Sequence, residues 1–135
     1  MKNCAIRLPV RIYYEDTDAG GVVYYANYLR FLERARTECL RSLGFSQSAL
    51  LEQNIAFAVR SASVEFLKSA RLDDELTIVS TVESLGRAQV VFAQRIERGG
   101  EVLLDAKIRV ACIDPLRGKA AAMPKEIHEK LKALL

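Results

Sequence analysis

The clearest periodic pattern along the chain lies between residues 25 and 44. Apolar side chains recur there at spacings of three or four, as in a helix with one buried face. Gly44 follows at a position where helices commonly end. The pattern predicts a helix about 25 Å long, which another layer of the fold must cover. Its apolar stripe consists of Tyr28, Leu32, Ala35, Cys39 and Leu43, widened by Leu29, Phe31 and Leu40.

Most of the remaining chain has the composition of β-strands. Residues 8–14 mix β-branched and aromatic side chains, and the polar stretch at 15–21 contains two glycines, so we predict a strand followed by a loop. Segments rich in Val, Ile, Phe and Thr predict four further strands, at 55–66, 75–85, 89–97 and 101–113. The dipeptides between them, which are Asp73-Asp74, Gly86-Arg87 and Gly99-Gly100, indicate the turns of an antiparallel meander.

Two shorter helices complete the predicted set. Ser46 can cap a helix over residues 46–53, and Pro124 suits the first turn of a terminal helix. One strand, a long helix and then four strands predict an α+β fold, with an antiparallel sheet of about five strands wrapped around one central helix. We expect residues 1–135 to form a single domain, because no linker-like composition interrupts them.

Composition narrows the range of functions. The net charge of +3 comes from Lys and Arg residues interleaved with Asp and Glu, which fits a small anionic ligand better than a nucleic acid. Cys4, Cys39 and Cys112 are far apart and form no CxxC pair, so we expect neither a disulfide framework nor a metal site. No apolar run has the length of a signal peptide core or a membrane span, and we expect a cytoplasmic protein.

The loop before the long helix is the strongest candidate for chemistry. Asp18 can attack a carbonyl carbon or activate water, and free N–H groups at the helix start near Tyr25 can stabilise developing negative charge. Gly20 and Gly21 allow a tight bend and a close approach of substrate to the backbone. Turn chemistry alone favours another interpretation, in which Asp18 bonds its own backbone, and Asp16 is interpreted as structural.

The segment from Tyr14 to Leu29, Tyr-Glu-Asp-Thr-Asp-Ala-Gly-Gly-Val-Val-Tyr-Tyr-Ala-Asn-Tyr-Leu, closely resembles the hotdog-fold thioesterases of the 4-hydroxybenzoyl-CoA thioesterase class. Within that class the chain is most similar to the YbgC-like acyl-CoA thioesterases associated with the Tol-Pal system. The similarity also covers residues 64–74 and 112–115. It implies a hotdog fold, hydrolysis of acyl-CoA without a cofactor, and homodimers or homotetramers with active sites at the subunit interface.

The resemblance also implies individual roles. The family's catalytic carboxylate matches Asp18, as nucleophile or general base, and the backbone amide that polarises the thioester carbonyl matches Tyr25. YbgC-type members typically carry His after the Val-Val-Tyr triplet, where this chain has Tyr25. We therefore expect no imidazole beside Asp18 in this chain. The lone His128 is interpreted as a surface residue. The side chain of Tyr25 is interpreted equally as an interfacial aromatic or as a substrate contact.

CoA carries phosphates, which bind fixed cations. Arg60, Lys68 and Arg87 are weaker candidates for substrate binding, because they are spaced around the rim of the predicted sheet. For each of them an exposed, solubilising charge is the simpler interpretation.

Charged residues along the long helix have the spacing of ion pairs. Glu33 with Arg36 and Arg34 with Glu38 are three and four residues apart, which favours pairs on the helix surface. We interpret these residues as structural rather than catalytic.

Two other functions stay open. A hotdog hydratase or dehydratase generally needs a positioned acid and base, such as a His with a carboxylate, and His128 is the only histidine. A non-catalytic subunit that binds acyl thioesters, serving acyl-carrier protein or lipid-synthesis enzymes, would keep the fold without turnover. The acyl group follows from neither the residues nor the resemblance.

Overall fold

The structure is a computed structural model that describes residues 5–135. It confirms the predicted α+β class, with one strand, a long helix and then a run of strands. In chain order the elements are β1 (Ile6–Arg11), a 3-10 turn (Tyr14–Asp16), α1 (Tyr25–Ser42), α2 (Gln47–Glu52), β2 (Ala56–Phe66), β3 (Glu75–Leu85), β4 (Gln89–Arg98), β5 (Glu101–Asp114), β6 (Lys119–Ala120) and α3 (Lys125–Lys132).

The strands form one antiparallel sheet in the order β1-β3-β4-β5-β2, and the two-residue β6 pairs with the end of β5. The predicted meander is confirmed for β3, β4 and β5. It is wrong for β2, which pairs with β5 and not with β3, so Asp73-Asp74 does not form a hairpin turn. β2 precedes this meander in the chain but lies outside β5, so β1 and β2 form the two edges of the sheet. An unpaired strand edge is a potential pairing surface.

The helix α1 packs its apolar stripe against the sheet and lies closest to β1 and β3. Its buried residues are Tyr28, Phe31, Leu32, Ala35, Cys39 and Leu40. Burying each of the large side chains among these contributes about 1.5–3 kcal/mol, so the stripe is a main source of stability. Leu29, which the stripe also includes, is 41% exposed. One side of the helix is therefore less covered by the rest of the chain.

The predicted ends of α1 and α2 are confirmed. Gly44 follows α1 with a φ of +96°, a left-handed conformation that glycine adopts without strain. The side chain of Ser46 accepts a hydrogen bond of 3.2 Å from the N–H of Ala49 and caps α2.

One predicted strand is placed wrongly, and one short strand was not predicted. The first strand ends at Arg11 rather than at residue 14, because its partner β3 begins at Glu75, which pairs with Arg11. Beyond that point β1 has no strand to pair with, and the chain turns. Between the last predicted strand and Pro124 the chain also forms the short strand β6, in which Lys119 pairs with Asp114 and Ala120 pairs with Ile113.

The predicted ion pairs on α1 are also wrong within the described residues. Glu38 pairs with Arg41, and the guanidinium of Arg34 lies over the ring of Phe31, 5.7 Å from its centroid. Arg36 turns toward the sheet and donates a hydrogen bond to Gln94. Helical spacing makes such pairs possible, but the neighbouring elements decide which of them form.

None of the helices between residues 5 and 135 is both long and apolar enough to cross a bilayer.

Cys39 and Cys112 are buried and make no disulfide. Burial raises the pKa of the Cys39 thiol to about 11 and also raises that of Cys112, so both stay protonated and unreactive near neutral pH.

We expect a Cys4→Ser variant to show no reaction with a disulfide reagent at pH 8 while folded, and two reactive thiols after denaturation. Rapid labelling of the folded variant would contradict the buried positions.

Candidate active site

A tight turn places Asp18 at the surface. The N–H of Gly21 donates to the backbone oxygen of Asp18 at 3.1 Å, and the N–H of Gly20 donates to its side-chain Oδ1 at 2.8 Å. Gly21 has a φ of +79°, which explains the glycine, and a Cβ on Gly20 would lie 3.2 Å from Asp18 Oδ1. The turn interpretation of Asp18 is thus confirmed. Its second oxygen, Oδ2, makes no hydrogen bond to the described residues.

Asp16 ties this loop to the start of α1. Its backbone oxygen accepts hydrogen bonds from the N–H of Tyr24 at 3.1 Å and from the side-chain amide of Asn27 at 2.9 Å. Its carboxylate accepts one from the N–H of Tyr13 at 2.8 Å. These contacts confirm that Asp16 is structural, and they hold the loop close to the first turn of the helix.

The segment that follows β2 forms the other side of the site. The N–H of Val23 donates to the backbone oxygen of Ala70 at 2.9 Å, and the N–H of Ala70 donates to the hydroxyl of Tyr28 at 2.9 Å. Burial raises the pKa of the Tyr28 hydroxyl, which therefore stays neutral. These two hydrogen bonds join the Asp18 loop, the helix α1 and the segment after β2, and the buried hydroxyl of Tyr28 takes part in one of them.

The first turn of α1 leaves backbone donors free. The N–H of Asn27 bonds the oxygen of Tyr24, which precedes the helix. The N–H groups of Tyr25 and Ala26 make no hydrogen bond to any part of the chain that the structure describes. Such groups at a helix start favour negative charge, because the helix dipole adds to their own polarity. The site therefore contains the donors that an oxyanion needs.

These groups surround one surface cleft of about 390 Å³, which we call the Asp18 cleft. Its walls are partly aromatic: the ring centroid of Phe66 lies 6.1 Å from that of Tyr25 and 5.9 Å from that of Tyr28. The cleft is lined by Asp18, Val22, Val23, Tyr24, Tyr25, Tyr28, Phe66, Leu67, Lys68 and Ser69. The structure thus brings the predicted carboxylate and the predicted helix start together.

Of the three predicted cations, only Lys68 lines this cleft. Arg60 lies at an irregularity in the pairing of β2, and Arg87 lines a separate cavity beside His128. His128 is partly exposed. Within one chain neither arginine reaches the Asp18 cleft, and their roles in substrate binding stay predictions. Among residues 5–135 there is no cluster of His, Cys, Asp and Glu that could hold a metal ion.

Sequence reasoning missed two features of the site. Phe66 was assigned only to a strand, yet it forms the aromatic wall opposite the helix. Arg98, at the end of β4, was not singled out. Its guanidinium donates to Asp74 at 2.8 Å, to Glu101 at 2.9 Å and to the backbone oxygen of Ser69 at 3.2 Å. The sequence gave no signal for the contacts with Asp74 and Ser69, because these residues lie 24 and 29 positions before Arg98.

Arg98 supports the wall of the cleft. Glu101 also pairs with Lys68 at 2.5 Å, so Arg98 contacts Ser69 directly and Lys68 through Glu101. Partial burial raises the pKa of Asp74, but hydrogen bonds from the Arg71 N–H and from Arg98 outweigh it and lower the pKa overall. The network is thus coupled to pH.

Comparison with known proteins identifies the family. The Thioesterase superfamily matches residues 20–104, which is more than half of the chain. The chain belongs to this superfamily. Asp18 lies just before the matched segment.

The similarity of this thioesterase to individual relatives extends over nearly its whole length. It is 50% identical over 133 residues to the acyl-CoA thioester hydrolase YbgC of Escherichia coli O6:H1, covering 98% of this chain and 99% of that protein. It is 49% identical over 120 residues to the acyl-CoA thioesterase YbgC of Haemophilus influenzae, covering 88% of each.

A solved structure supports the same assignment. The probable thioesterase from Bartonella henselae superimposes with a TM-score of 0.85 at 36% identity, over 90% of this chain and 100% of that one. The resemblance to hotdog thioesterases inferred from the motif, and the hotdog fold that it implied, are thereby confirmed.

We expect Arg98→Met to lower the melting temperature by a few degrees, because two carboxylates and a carbonyl lose their shared donor. Asp74 has a lowered pKa in the folded state, so it contributes stability above its unfolded pKa and loses that stability as pH falls through its folded pKa. The variant should therefore lose less stability than the parent when the pH is lowered from 5 toward 2. Thermal unfolding across this range measures both effects.

Arg95→Met is the matched control, since Arg95 lies on the same strand and pairs with a carboxylate, that of Glu97, but does not contact the wall of the cleft. An equal drop in melting temperature and an equal pH profile for both variants would argue against a special role of Arg98.

Proposed function

We propose that this thioesterase hydrolyses acyl-CoA, releasing CoA and a carboxylic acid. The observation that carries the proposal is that the Asp18 cleft contains both a carboxylate and the free N–H group of Tyr25 at a helix start. Hydrolysis of a thioester requires these two elements. A relative with 50% identity bears the name acyl-CoA thioester hydrolase, which supports the substrate class.

In a general-base route, Asp18 takes a proton from a water molecule as the water oxygen attacks the thioester carbon. The carbonyl oxygen becomes an oxyanion and faces the N–H groups of Tyr25 and Ala26. Collapse of this intermediate breaks the carbon–sulfur bond, and the proton held by Asp18 passes to the CoA thiolate. One water is consumed, and one carboxylic acid and one thiol are formed.

In a nucleophilic route, an oxygen of Asp18 attacks the same carbon and expels the CoA thiolate, giving a mixed anhydride. Water then cleaves the anhydride, which gives the carboxylic acid and restores the Asp18 carboxylate, while one proton of the water passes to the CoA thiolate. Both routes place the developing oxyanion at the same helix-start donors, so the proposal includes the two as alternatives.

The turn role of Asp18 is compatible with either route. Oδ1 is held by the N–H of Gly20 at 2.8 Å, whereas Oδ2 makes no hydrogen bond to the described residues. The turn therefore orients the carboxylate while leaving one oxygen for chemistry. The conformations of Gly20 and Gly21 allow this geometry. The proposal also includes a close approach of the substrate to the backbone of these two glycines.

Lys68 is the cation best placed to attract the phosphates of CoA to the cleft. Lys68 is paired with Glu101, so a phosphate would either displace the Glu101 carboxylate or share the Lys68 ammonium group with it. Arg60 and Arg87 do not line this cleft. They could bind phosphates only of a substrate held in the cleft of another subunit, or of a substrate part that extends far beyond the cleft.

We further propose that the protein forms homo-oligomers by pairing β2 edges. β1 is a six-residue edge containing Pro9, which disfavours pairing, whereas β2 has eleven residues without Pro or Lys. Val59 and Phe66 on β2 are each 49% exposed. Such an edge is suited to pair with a second copy, which would bring a partner subunit close to the Asp18 cleft.

We expect Asp18→Asn to lower kcat for acyl-CoA by about 10²–10⁴-fold with little change in KM, because Asn binds Gly20 but cannot accept a proton or attack. CoA release is measured with a thiol reagent on short, long and aromatic acyl-CoAs and on an acyl-carrier-protein thioester. The control Asp16→Asn keeps its structural contacts and should change kcat less than tenfold.

Undiminished hydrolysis by Asp18→Asn would refute the proposed role of this residue. Hydration of an enoyl-CoA without CoA release would favour a hydratase instead. Tight acyl-CoA binding without turnover of any substrate would favour a non-catalytic binding subunit.

Adjacent proline substitutions test the proposed edge. Backbone N–H groups of neighbouring residues in an antiparallel strand point alternately toward β5 and toward the outer edge. Of Ala62→Pro and Ser63→Pro, we expect one to destabilise the fold and the other to give a folded monomer, as judged by circular dichroism and light scattering. A pair of variants that both keep the parent's oligomeric state would contradict pairing through β2.

A further inference from the structure

Residues 69–71 connect the wall of the Asp18 cleft with the loop that carries Asp18. Ser69 lines the cleft. The next residue, Ala70, accepts a hydrogen bond of 2.9 Å from the N–H of Val23, at the end of that loop. These three residues belong to no helix and no strand, so no regular ladder of hydrogen bonds holds them. Their position must come from other contacts.

The Asp18 loop is a small hairpin that pairs with this stretch. Thr17 forms an antiparallel bridge with Val23, and the N–H of Asp18 donates to the backbone oxygen of Val22 at 2.9 Å. Val22 forms a further antiparallel bridge with Arg71. Asp18 is therefore one strand away from the stretch, and a shift of the stretch moves the loop with it.

Arg98 fixes this stretch from one side. Its Nη1 donates to the backbone oxygen of Ser69 at 3.2 Å and to Oδ2 of Asp74 at 2.8 Å. The same Oδ2 accepts the N–H of Arg71 at 2.8 Å. One guanidinium thus holds Ser69 directly and Arg71 through Asp74. Its donors lie in a planar fork, which sets the directions of these bonds.

Tyr28 fixes the same stretch from the opposite side. Its hydroxyl accepts the N–H of Ala70 at 2.9 Å. The N–H of Ala70 and the oxygen of Ser69 belong to one trans peptide, in which they point in opposite directions. Arg98 and Tyr28 therefore hold this peptide from both sides, and we call it the clamped peptide. Tyr28 is 4% exposed, so packing of the apolar stripe of α1 keeps its hydroxyl in place.

The loop has a second attachment, which joins it to the helix. The contacts of Asp16 tie its first half to the start of α1. Its second half, at Val22 and Val23, pairs with the stretch that contains the clamped peptide. The orientation of Asp18 therefore depends on both attachments. A displacement of a reacting group by about 1 Å can lower a rate about 10²-fold, so the second attachment bears on catalysis.

We propose that Arg98 and Tyr28 are positioning residues, which hold the clamped peptide and thereby fix the Asp18 carboxylate relative to the free N–H groups of the helix start. The inference rests on the proposed function and adds to it two residues that act through the backbone of the loop. Neither side chain takes part in a covalent step.

We expect Arg98→Met to lower kcat by about 10–10²-fold, on the acyl-CoA that the wild type hydrolyses fastest and at a temperature at which the variant is folded. KM should change by less than about threefold, because Lys68 keeps its pair with Glu101 and still lines the cleft. Arg98→Lys retains the charge without the fork and should recover part of the loss. Tyr28→Phe keeps the ring but removes the acceptor of the Ala70 N–H, and kcat should fall about tenfold.

Two variants serve as controls. Arg95→Met removes an arginine of the same strand that pairs with Glu97, and Tyr14→Phe removes the hydroxyl of a tyrosine that is 83% exposed. Neither residue lines the cleft, and both variants should keep kcat within about twofold of the parent. A loss in these controls equal to that in Arg98→Met would overturn the inference.

A double-mutant cycle with Asp18→Asn distinguishes positioning from a general loss of activity. If Arg98 acts through the Asp18 carboxylate, Arg98→Met should change the residual rate of Asp18→Asn by less than about twofold. A further loss as large as in the wild-type background would overturn the inference. Unchanged kcat in both Arg98→Met and Tyr28→Phe would also overturn it while leaving the proposed hydrolysis intact. Undiminished hydrolysis by Asp18→Asn would instead count against the proposed function itself.

Amide hydrogen exchange reports on the clamped peptide without turnover. The N–H groups of Val23 and Ala70 should exchange about tenfold faster in Arg98→Met than in the parent, because each bond that holds the peptide raises the free energy of local opening. Arg95→Met should leave both exchange rates unchanged. If Arg98→Met does not fold, Arg98→Lys and Tyr28→Phe take its place in the same comparisons. Equal exchange in the parent and these variants would overturn the inference.

Discussion

The hydrogen bond from the Ala70 N–H to the hydroxyl of Tyr28 is the contact on which the site depends most. Tyr28 belongs to the apolar stripe of α1, and its ring is buried with that stripe. Its hydroxyl needs a partner there, and the segment after β2 supplies one. Ala70 in turn accepts from Val23, which sets the position of the loop that carries Asp18. Packing of the helix therefore determines where the carboxylate lies relative to the helix start.

A second buried polar group has the opposite character. The phenol of Tyr28 closes a set of contacts, whereas the Ser80–Gln94–Arg36 relay ends in donors without partners among the described residues. Both cross the interface between α1 and the sheet, and an apolar replacement would pack there without needing any partner. The first group has a structural explanation that is complete within the chain. The second ends at a partly exposed guanidinium, beside a cavity that Glu33 and Gln47 also line.

Much of the fold could be predicted from the sequence because its signals are local. The stripe of α1, the cap at Ser46 and the turn at Gly99-Gly100 all follow from residues a few positions apart. The end of β1 could not be predicted, since it is set by where β3 begins. The same holds for the site: Asp18 and Tyr25 belong to one motif, whereas the contacts of Phe66 and Arg98 join segments distant in sequence.

The two interpretations of Asp18 are best understood together. A carboxylate that only closed a turn would not need to line a cleft with the free amide of Tyr25, and a carboxylate without the turn would lose its orientation. Gly20 leaves room beside Oδ1 and donates to it, and Gly21 adopts the backbone angle that the turn requires. With no imidazole in the cleft, orientation must come from these backbone contacts. In the proposed hydrolysis, the turn is thus the physical means by which the exposed carboxylate is oriented for chemistry.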